Sequence, residues 1–180
     1  MKKLLVAAAL SAAAISPAVA TAADPTPADS KNAAKYCKAL RDAAGSTSFV
    51  SMFGTKKNAY GKCVSQTAKK TATEDAAQAK TAKSQAVEEC RAAKTEGSKN
   101  AFGKCVSEKA KAKKAAADKE DKAEEGDRVN AAKSCKTAKK DTAKFAADYG
   151  TAKNAFGKCV SKTAKQLAAE RKAEQETATA

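Results

Sequence analysis

The chain has 180 residues, a formal net charge of +15 and neither histidine nor tryptophan. The absence of histidine excludes the usual general base, the Ser-His-Asp type of triad and most metal sites. Aromatic residues make up 4% of the chain, and alanine supplies most of its nominal 43% hydrophobic content. Because alanine favours helices but buries little surface, we expect a highly helical chain without one large core.

The first twenty residues have the three parts of a secretory signal. Lys2 and Lys3 precede the largely apolar run Leu4–Ile15, and Ser16–Ala20 ends in the small residues that precede a cleavage site. A run of about twelve residues is short for spanning ~30 Å of hydrocarbon, so we expect cleavage and not a membrane anchor. The sequence therefore predicts a secreted protein (extracellular, cell wall or periplasm), in which residues 21–29 are a flexible linker.

An eight-residue sequence, called the octamer below, occurs three times. Asn58–Ser65 reads N-A-Y-G-K-C-V-S, and both Asn100–Ser107 and Asn154–Ser161 read N-A-F-G-K-C-V-S. Each octamer follows another cysteine. This recurrence predicts three tandem units, which we number one to three. They are residues 30–70, 87–110 and 130–165.

On these octamers the chain resembles uncharacterised small secreted bacterial proteins that carry N-A-F-G-K-C-V-S repeats. The resemblance covers the three units and very little of the chain between them. It implies a secreted and modular protein. It implies no chemistry, since no known activity is attached to the octamer.

Six cysteines in an exported chain of this size indicate a disulfide framework. Since each unit contains two cysteines, the repeat favours one crosslink within each unit. The predicted pairs are Cys37–Cys63, Cys90–Cys105 and Cys135–Cys159. Loops of this size are worth roughly 3 kcal/mol each by the chain-entropy argument, a large share of the stability of a small domain.

These pairings constrain the helices. An unbroken helix from Cys135 to Gly150 would offset the two sulfurs of unit three by roughly 10 Å, so a break before Phe145 is needed. Asp141 and Thr142 are suited to cap a new helix there, and residues 44–47 form the corresponding break in unit one. We therefore predict three helices in units one and three. Unit two should be a bare hairpin that turns at Gly97.

Each octamer is predicted to begin a helix. In unit three, Phe156, Cys159 and Val160 share one face at helical spacing, and Gly157 lets a neighbouring helix approach closely. The aromatic residues Tyr60, Phe102 and Phe156 are therefore interpreted as packing residues. The alternative is that the Phe-Gly-Lys surface of each repeat binds a specific peptide or small ligand.

Three long segments connect or follow the units. Residues 71–86 are predicted to be a connecting helix, and residues 166–180 a C-terminal helix that loosens into a tail. Residues 111–129 should form a charged linker helix, interrupted at Gly126 and exposed because it is polar on every face. The predicted fold is all-α, with three tandem disulfide-stapled helical units joined by long Ala/Lys-rich helices. We expect it to be elongated rather than compact, with the units spaced like beads on a string.

Removing the signal leaves 33 basic and 20 acidic residues, and nearly all of the basic ones are lysines. Lysine favours diffuse attraction to polyanions over bidentate recognition. The charge could also serve only to keep an alanine-rich surface soluble. The predicted polyanion-binding residues are Lys56, Lys57, Lys69, Lys70, Lys109, Lys111, Lys113, Lys114, Lys136, Lys139 and Lys140.

No C-x-x-C motif and no glycine-rich phosphate loop occur, so we expect no catalytic residue, no metal site and no cofactor. The leading hypothesis is a secreted, non-enzymatic structural or interaction protein of the cell envelope or medium. Its partners would be anionic cell-wall polymers, glycans or extracellular nucleic acid, bound weakly through lysine-rich helices. A thiol-exchange protein is a further alternative, and it would need at least one free or easily reduced cysteine.

Overall fold

The computed structural model describes residues 23–55, 57–92 and 100–178. Six helices follow one another in this part of the chain, which contains no strand, so the predicted all-α class is confirmed. The helices are α1 (Pro27–Ala44), α2 (Ser46–Phe53), α3 (Ala59–Ala92), α4 (Ala101–Ala138), α5 (Thr142–Tyr149) and α6 (Ala155–Ala178).

The two longest helices, α3 and α4, pack side by side as an antiparallel hairpin, with 34 and 38 residues respectively. At the helical rise, α3 alone is about 50 Å long. A disulfide between Cys90 and Cys105, with 6.1 Å between their Cα atoms, joins the helices near one end of the hairpin. We call residues 71–92 and 100–129 the arm.

Both segments between the units are continuous helix. Residues 71–86 belong to α3, as predicted. The predicted interruption at Gly126 was wrong, since α4 continues through this residue without a break. A glycine inside a helix costs about 1 kcal/mol relative to alanine. Packing of α4 against both α3 and α6 outweighs that cost, and it also explains why residues 111–129 are not simply an exposed linker.

The ends of α3 and α4 that lie away from the Cys90–Cys105 crosslink pack against α1 and α6. There units one and three share one hydrophobic core, and we call these two packed units the base. The expectation of separately spaced units was wrong for this pair. The reason is geometric: an antiparallel hairpin of two helices of similar length returns the chain to its starting point. The larger members of this core are Tyr36, Leu40, Phe49, Phe145, Phe156 and Val160, together with Cys37, Cys63, Cys135 and Cys159.

Equivalent contacts recur in the two units of the base. Disulfides Cys37–Cys63 and Cys135–Cys159 each hold their Cα atoms 6.0 Å apart. In each unit the first cysteine sulfur also lies 3.8 Å from the hydroxyl oxygen of a threonine one turn beyond the second cysteine. All three crosslinks are those expected from the repeat.

The short helices α2 and α5 occupy equivalent places in units one and three. Asp141 caps α5 by accepting a hydrogen bond from the Lys144 backbone N–H at 3.0 Å, as the sequence predicted. Glycine ends both helices with a positive φ, at Gly54 and Gly150, a conformation that glycine adopts without steric cost. Each helix also carries an aromatic pair with ring centroids 4.8 or 4.9 Å apart.

Helix α1 begins earlier than expected. Residues 21–29 were predicted to be flexible, but α1 already starts at Pro27. Thr26 and Asp29 form a capping box: the Thr26 backbone N–H donates to the Asp29 carboxylate at 2.7 Å, and the Asp29 N–H donates back to the Thr26 hydroxyl at 3.3 Å. The predicted signal, residues 1–20, lies outside the described residues. Within the described ranges, no helix is long and apolar enough to cross a membrane.

Candidate functional site

Positive charge is concentrated in the two units that form the base. Residues 30–70 and 130–165 together contain 18 basic and 3 acidic residues. The 59 residues between them contain 13 basic and 12 acidic residues and are therefore nearly neutral. Because units one and three pack together, the fold collects almost all of the excess charge at one end of the molecule.

The lysines of unit three are available to an external anion. All nine are exposed, and none forms an ion pair with a carboxylate among the described residues. They are Lys133, Lys136, Lys139, Lys140, Lys144, Lys153, Lys158, Lys162 and Lys165.

Several of these lysines are held by neighbours other than carboxylates. The Lys139 ammonium lies 3.5 Å from the Ser48 hydroxyl and 5.9 Å from the centroid of the Phe156 ring. Lys162 lies at 5.9 Å over the ring of Tyr149. Such cation–π contacts orient an ammonium group without neutralising its charge. The basic surface therefore has partly fixed positions.

Two lysines of unit three lie against residues of unit one. Lys139 belongs to unit three, but its hydroxyl partner, Ser48, belongs to unit one. The side chain of Lys136 similarly lies beside Gly45 of unit one. In unit one itself, the Arg41 guanidinium lies 5.3 Å from the centre of the Tyr60 ring. The base thus carries basic side chains from both units.

Four of the predicted polyanion-binding lysines are instead engaged with carboxylates. Lys109 and Lys113 approach Glu89 at 2.9 and 2.6 Å, across the hairpin. Lys114 pairs with Asp75 and Asp118, and Lys70 pairs with Glu74. Lys109, Lys113 and Lys114 help to join the two helices of the arm, and all four lysines are less suited to bind an external polyanion.

The other predicted lysines fall into two groups. Lys57, Lys69, Lys111, Lys136, Lys139 and Lys140 form no ion pair with any described residue. Lys56 lies outside the described residues. Of the six without a carboxylate partner, only Lys111 lies in the arm.

The ion pairs of the arm lower the pKa values of two carboxyl groups. Hydrogen bonds from Lys113 and Lys109 lower the pKa of Glu89 to about 2. Hydrogen bonds from Arg171, then Lys172, lower the pKa of Glu120 to about 2. Arg171 lies on α6 and also binds Asp127 at 3.2 Å, so it ties the end of α6 to α4.

A polar groove of about 720 Å³ lies between α1, α3 and α4, where the arm leaves the base. Charges of both signs line it. Burial, and then the nearby Asp121 carboxylate, raise the pKa of Glu125. Burial also raises the pKa of Tyr36, against the opposing effect of Arg128. The mixed charge makes this groove a poor match for a polyanion.

The three octamers have very different surroundings. Phe156 is 3% exposed, as expected for a packing residue, whereas Tyr60 is 37% and Phe102 39% exposed. Tyr60 compensates by donating a hydrogen bond from its hydroxyl to the Ala34 carbonyl at 2.9 Å. The packing interpretation therefore holds at Phe156 and fails at Phe102.

Phe102 borders an apolar groove between α3 and α4, which we call the tip groove, with a volume of about 600 Å³. None of the described residues that line it is acidic. Its lining consists of Ala79, Lys83, Val87, Phe102, Gly103, Val106, Ser107, Ala110, Lys111 and Lys114. The sequence did contain a signal for this opening, since unit two lacks the aromatic pair of α2 and α5.

All six cysteines are in disulfides, which leaves no free thiol for thiol exchange. Among the residues that the structure describes, no group of three or more cysteine or acidic side chains could hold a metal ion. The described residues therefore offer two kinds of binding surface, the lysine-rich surface of the base and the apolar tip groove. No protein-family model, curated protein or solved structure matches this chain.

Proposed function

We propose that this protein is a secreted, non-enzymatic interaction protein of the cell envelope or medium, and that its base binds anionic polymers. Cell-wall polymers, glycans and extracellular nucleic acid all present the repeated negative charges that such a surface attracts. The observation that carries the proposal is the packing of units one and three, which gathers 18 basic and 3 acidic residues at one end.

The compartment is part of the same proposal. Three disulfides are typical of proteins that fold in an oxidising environment. The N-terminal signal sequence supports export. Crosslinks also suit a base with a small core, since they stabilise it by restricting the unfolded chain.

Binding should be weak and sensitive to salt. Lysine ammonium groups bind phosphates and sulfates mainly as point charges, without bidentate geometry. Counterion release then makes the logarithm of the affinity fall linearly with the logarithm of the salt concentration, by about 0.9 per phosphate contact on duplex DNA. The salt dependence of the affinity for a polyanion therefore reports how many phosphate contacts the base makes.

The test compares two variants of equal net charge, with a short DNA duplex as a defined polyanion. The base variant replaces four exposed lysines of unit three by glutamine: Lys133, Lys140, Lys153 and Lys158. The control replaces four exposed lysines of the arm: Lys80, Lys104, Lys119 and Lys122. None of the eight forms an ion pair within the described residues.

The base variant should lower the salt slope by about 0.9 for each contact that it removes, and the control should change it much less. Equal losses from both variants would show that the charge acts diffusely over the whole molecule. Retention that does not depend on salt would refute the electrostatic proposal altogether.

The alternative function is binding of a specific ligand at the Phe-Gly-Lys surface of every repeat. The burial of the octamer aromatic residues limits the units at which such a ligand could bind. Phe156 is covered by the base, and the Tyr60 hydroxyl is bonded to α1. Among the described residues, the octamer of unit two is the one whose exposed aromatic ring itself lines an apolar groove. A specific ligand would therefore bind at unit two.

A further inference from the structure

The tip groove changes character along its length. Its end near the Cys90–Cys105 crosslink is apolar and is formed by Val87, Phe102 and Val106. Towards the base, the lining changes to Lys83 on α3 and Lys111 on α4. Phe102 and Lys111 are nine residues apart on α4, which is about 13 Å along the helix axis.

Two of the three lysines at this end of the groove have no carboxylate partner among the described residues. Lys83 and Lys111 are exposed and form no ion pair within the described residues. Lys114, the third lysine of the lining, is held by Asp75 at 3.3 Å and Asp118 at 2.8 Å. Since none of the described lining residues carries a carboxylate, the unpaired charge of this lining is positive only.

The octamer of unit three shows which kind of side chain packs against the octamer glycine. In unit three, Met52 of α2 lies against Gly157, its side chain 3.8 Å from the position that a Cβ would take there. In unit two, no atom of a described residue lies within 4 Å of the equivalent position on Gly103. The octamer glycine thus packs against a flexible, unbranched side chain in unit three, whereas in unit two no described side chain lies against it.

We propose that the tip groove binds an unbranched aliphatic carboxylate, with the chain against Val87, Phe102 and Val106 and the carboxylate between Lys83 and Lys111. The groove volume of about 600 Å³ lies within the range of roughly 300–1,000 Å³ that is usual for small-ligand sites. A second copy of this positively charged chain fits the groove less well, because it carries the same lysines.

The experiment measures binding of dodecanoate to the disulfide-bonded protein by calorimetry, below the micelle concentration. Dodecyltrimethylammonium has the same chain with the opposite charge, and acetate has the same charge without the chain. We expect dodecanoate to bind and the other two not to bind. Shortening the chain to decanoate and octanoate should weaken binding about three- to fourfold for each methylene lost.

Two variants test where the ligand binds, and each has a matched control. For the first variant, the control is the equivalent position in another repeat. Phe102→Ala should weaken dodecanoate binding at least tenfold, whereas Tyr60→Ala, at the equivalent and similarly exposed position of unit one, should leave it unchanged. The double variant K83Q/K111Q should weaken it roughly two- to fivefold for each lysine, and K80Q/K119Q should not. Helicity and disulfide content are measured on every variant.

Four results would overturn the proposal. They are no binding of dodecanoate, equal binding of the cationic amphiphile, equal effects of Phe102→Ala and Tyr60→Ala with helicity intact, and Phe102-dependent dimerisation without ligand. None of the lysines altered for the polyanion test lines the groove. Failure of this proposal is therefore distinguishable from failure of the polyanion proposal.

Discussion

The base and the arm contain the same octamer but are stabilised in different ways. In the base, Phe156 is 3% exposed and two disulfides connect helices around one small core. In the arm, Phe102 is 39% exposed, and the helices are joined by one disulfide and by ion pairs across the hairpin. The role of the repeated sequence therefore depends on what the fold places against it.

The comparison also separates two uses of lysine. In the arm, Lys109, Lys113 and Lys114 neutralise carboxylates and join the two long helices. In unit three, every lysine lacks a carboxylate partner among the described residues. Of these two groups, only the second leaves its charge available for an external anion; Lys83 and Lys111, the unpaired lysines of the tip groove, belong to neither group.

The largest expected effect is the removal of the buried octamer ring. Phe156→Ala should reduce the free energy of unfolding by about 3–5 kcal/mol, because it leaves a cavity in the base. Phe102→Ala should cost clearly less, about 1 kcal/mol, since 39% of this residue is exposed and its removal leaves no closed cavity. Urea denaturation followed by circular dichroism measures both. Similar losses from the two variants would remove the difference between base and arm.

The disulfides come next. One variant replaces Cys135 and Cys159 by serine, and the other replaces Cys90 and Cys105. Each should lower the free energy of unfolding by about 3 kcal/mol, since the sequence separations of 24 and 15 residues are similar. The location of the loss should differ. Hydrogen exchange should increase throughout units one and three for the first pair, but mainly near the end of the hairpin for the second. The same exchange pattern for both pairs would contradict the separation.

A gain of stability is expected in the arm from Gly126→Ala. No atom of a described residue lies within 4 Å of the position of the added methyl group, and Gly126 is inside a continuous helix. The variant should be more stable by about 1 kcal/mol, as helix propensity predicts. Gly150→Ala, its control in the base, should be destabilising because Gly150 has a φ of 84°. Thermal unfolding distinguishes the two signs.

The smallest effect concerns pH. Glu89 and Glu120 have pKa values lowered to about 2 in the folded protein. A lowered folded pKa gives stability that is present above the ordinary value near 4.5 and is lost as the pH falls towards 2. Because both pairs are partly exposed, the loss should be modest and should decrease in high salt.

Hydrogen exchange of the arm, measured at low salt between pH 5 and pH 2, checks this expectation. The Glu89→Gln/Glu120→Gln variant provides the control, since it lacks both titrating groups and should show a flatter pH dependence. If the two proteins have the same pH dependence, these ion pairs do not stabilise the arm.

Local features of the sequence were sufficient to predict much of this fold. The capping residue Asp141, the break at Gly45 and the spacing of the cysteines are short-range signals, and each has its expected consequence. Gly126 did not act as a helix breaker, because contacts of α4 with two other helices outweigh a propensity of about 1 kcal/mol.

The contact between units one and three could not be predicted in this way. It depends on α3 and α4 having similar lengths and folding back on each other, and no motif within either unit encodes that relation. The exposure of Phe102 follows from the same long-range arrangement together with the shorter unit two. The candidate surfaces therefore had to be located by the fold, although their residues were visible in the sequence.

The central claim is that units one and three pack together into one base. The contact between Met52 of unit one and Gly157 of unit three tests it directly, because no disulfide enforces it. Proton NMR of the oxidised protein should show nuclear Overhauser effects between the Met52 side chain and the Gly157 α-protons. Their absence in protein that retains all three disulfides and its helicity would contradict the account.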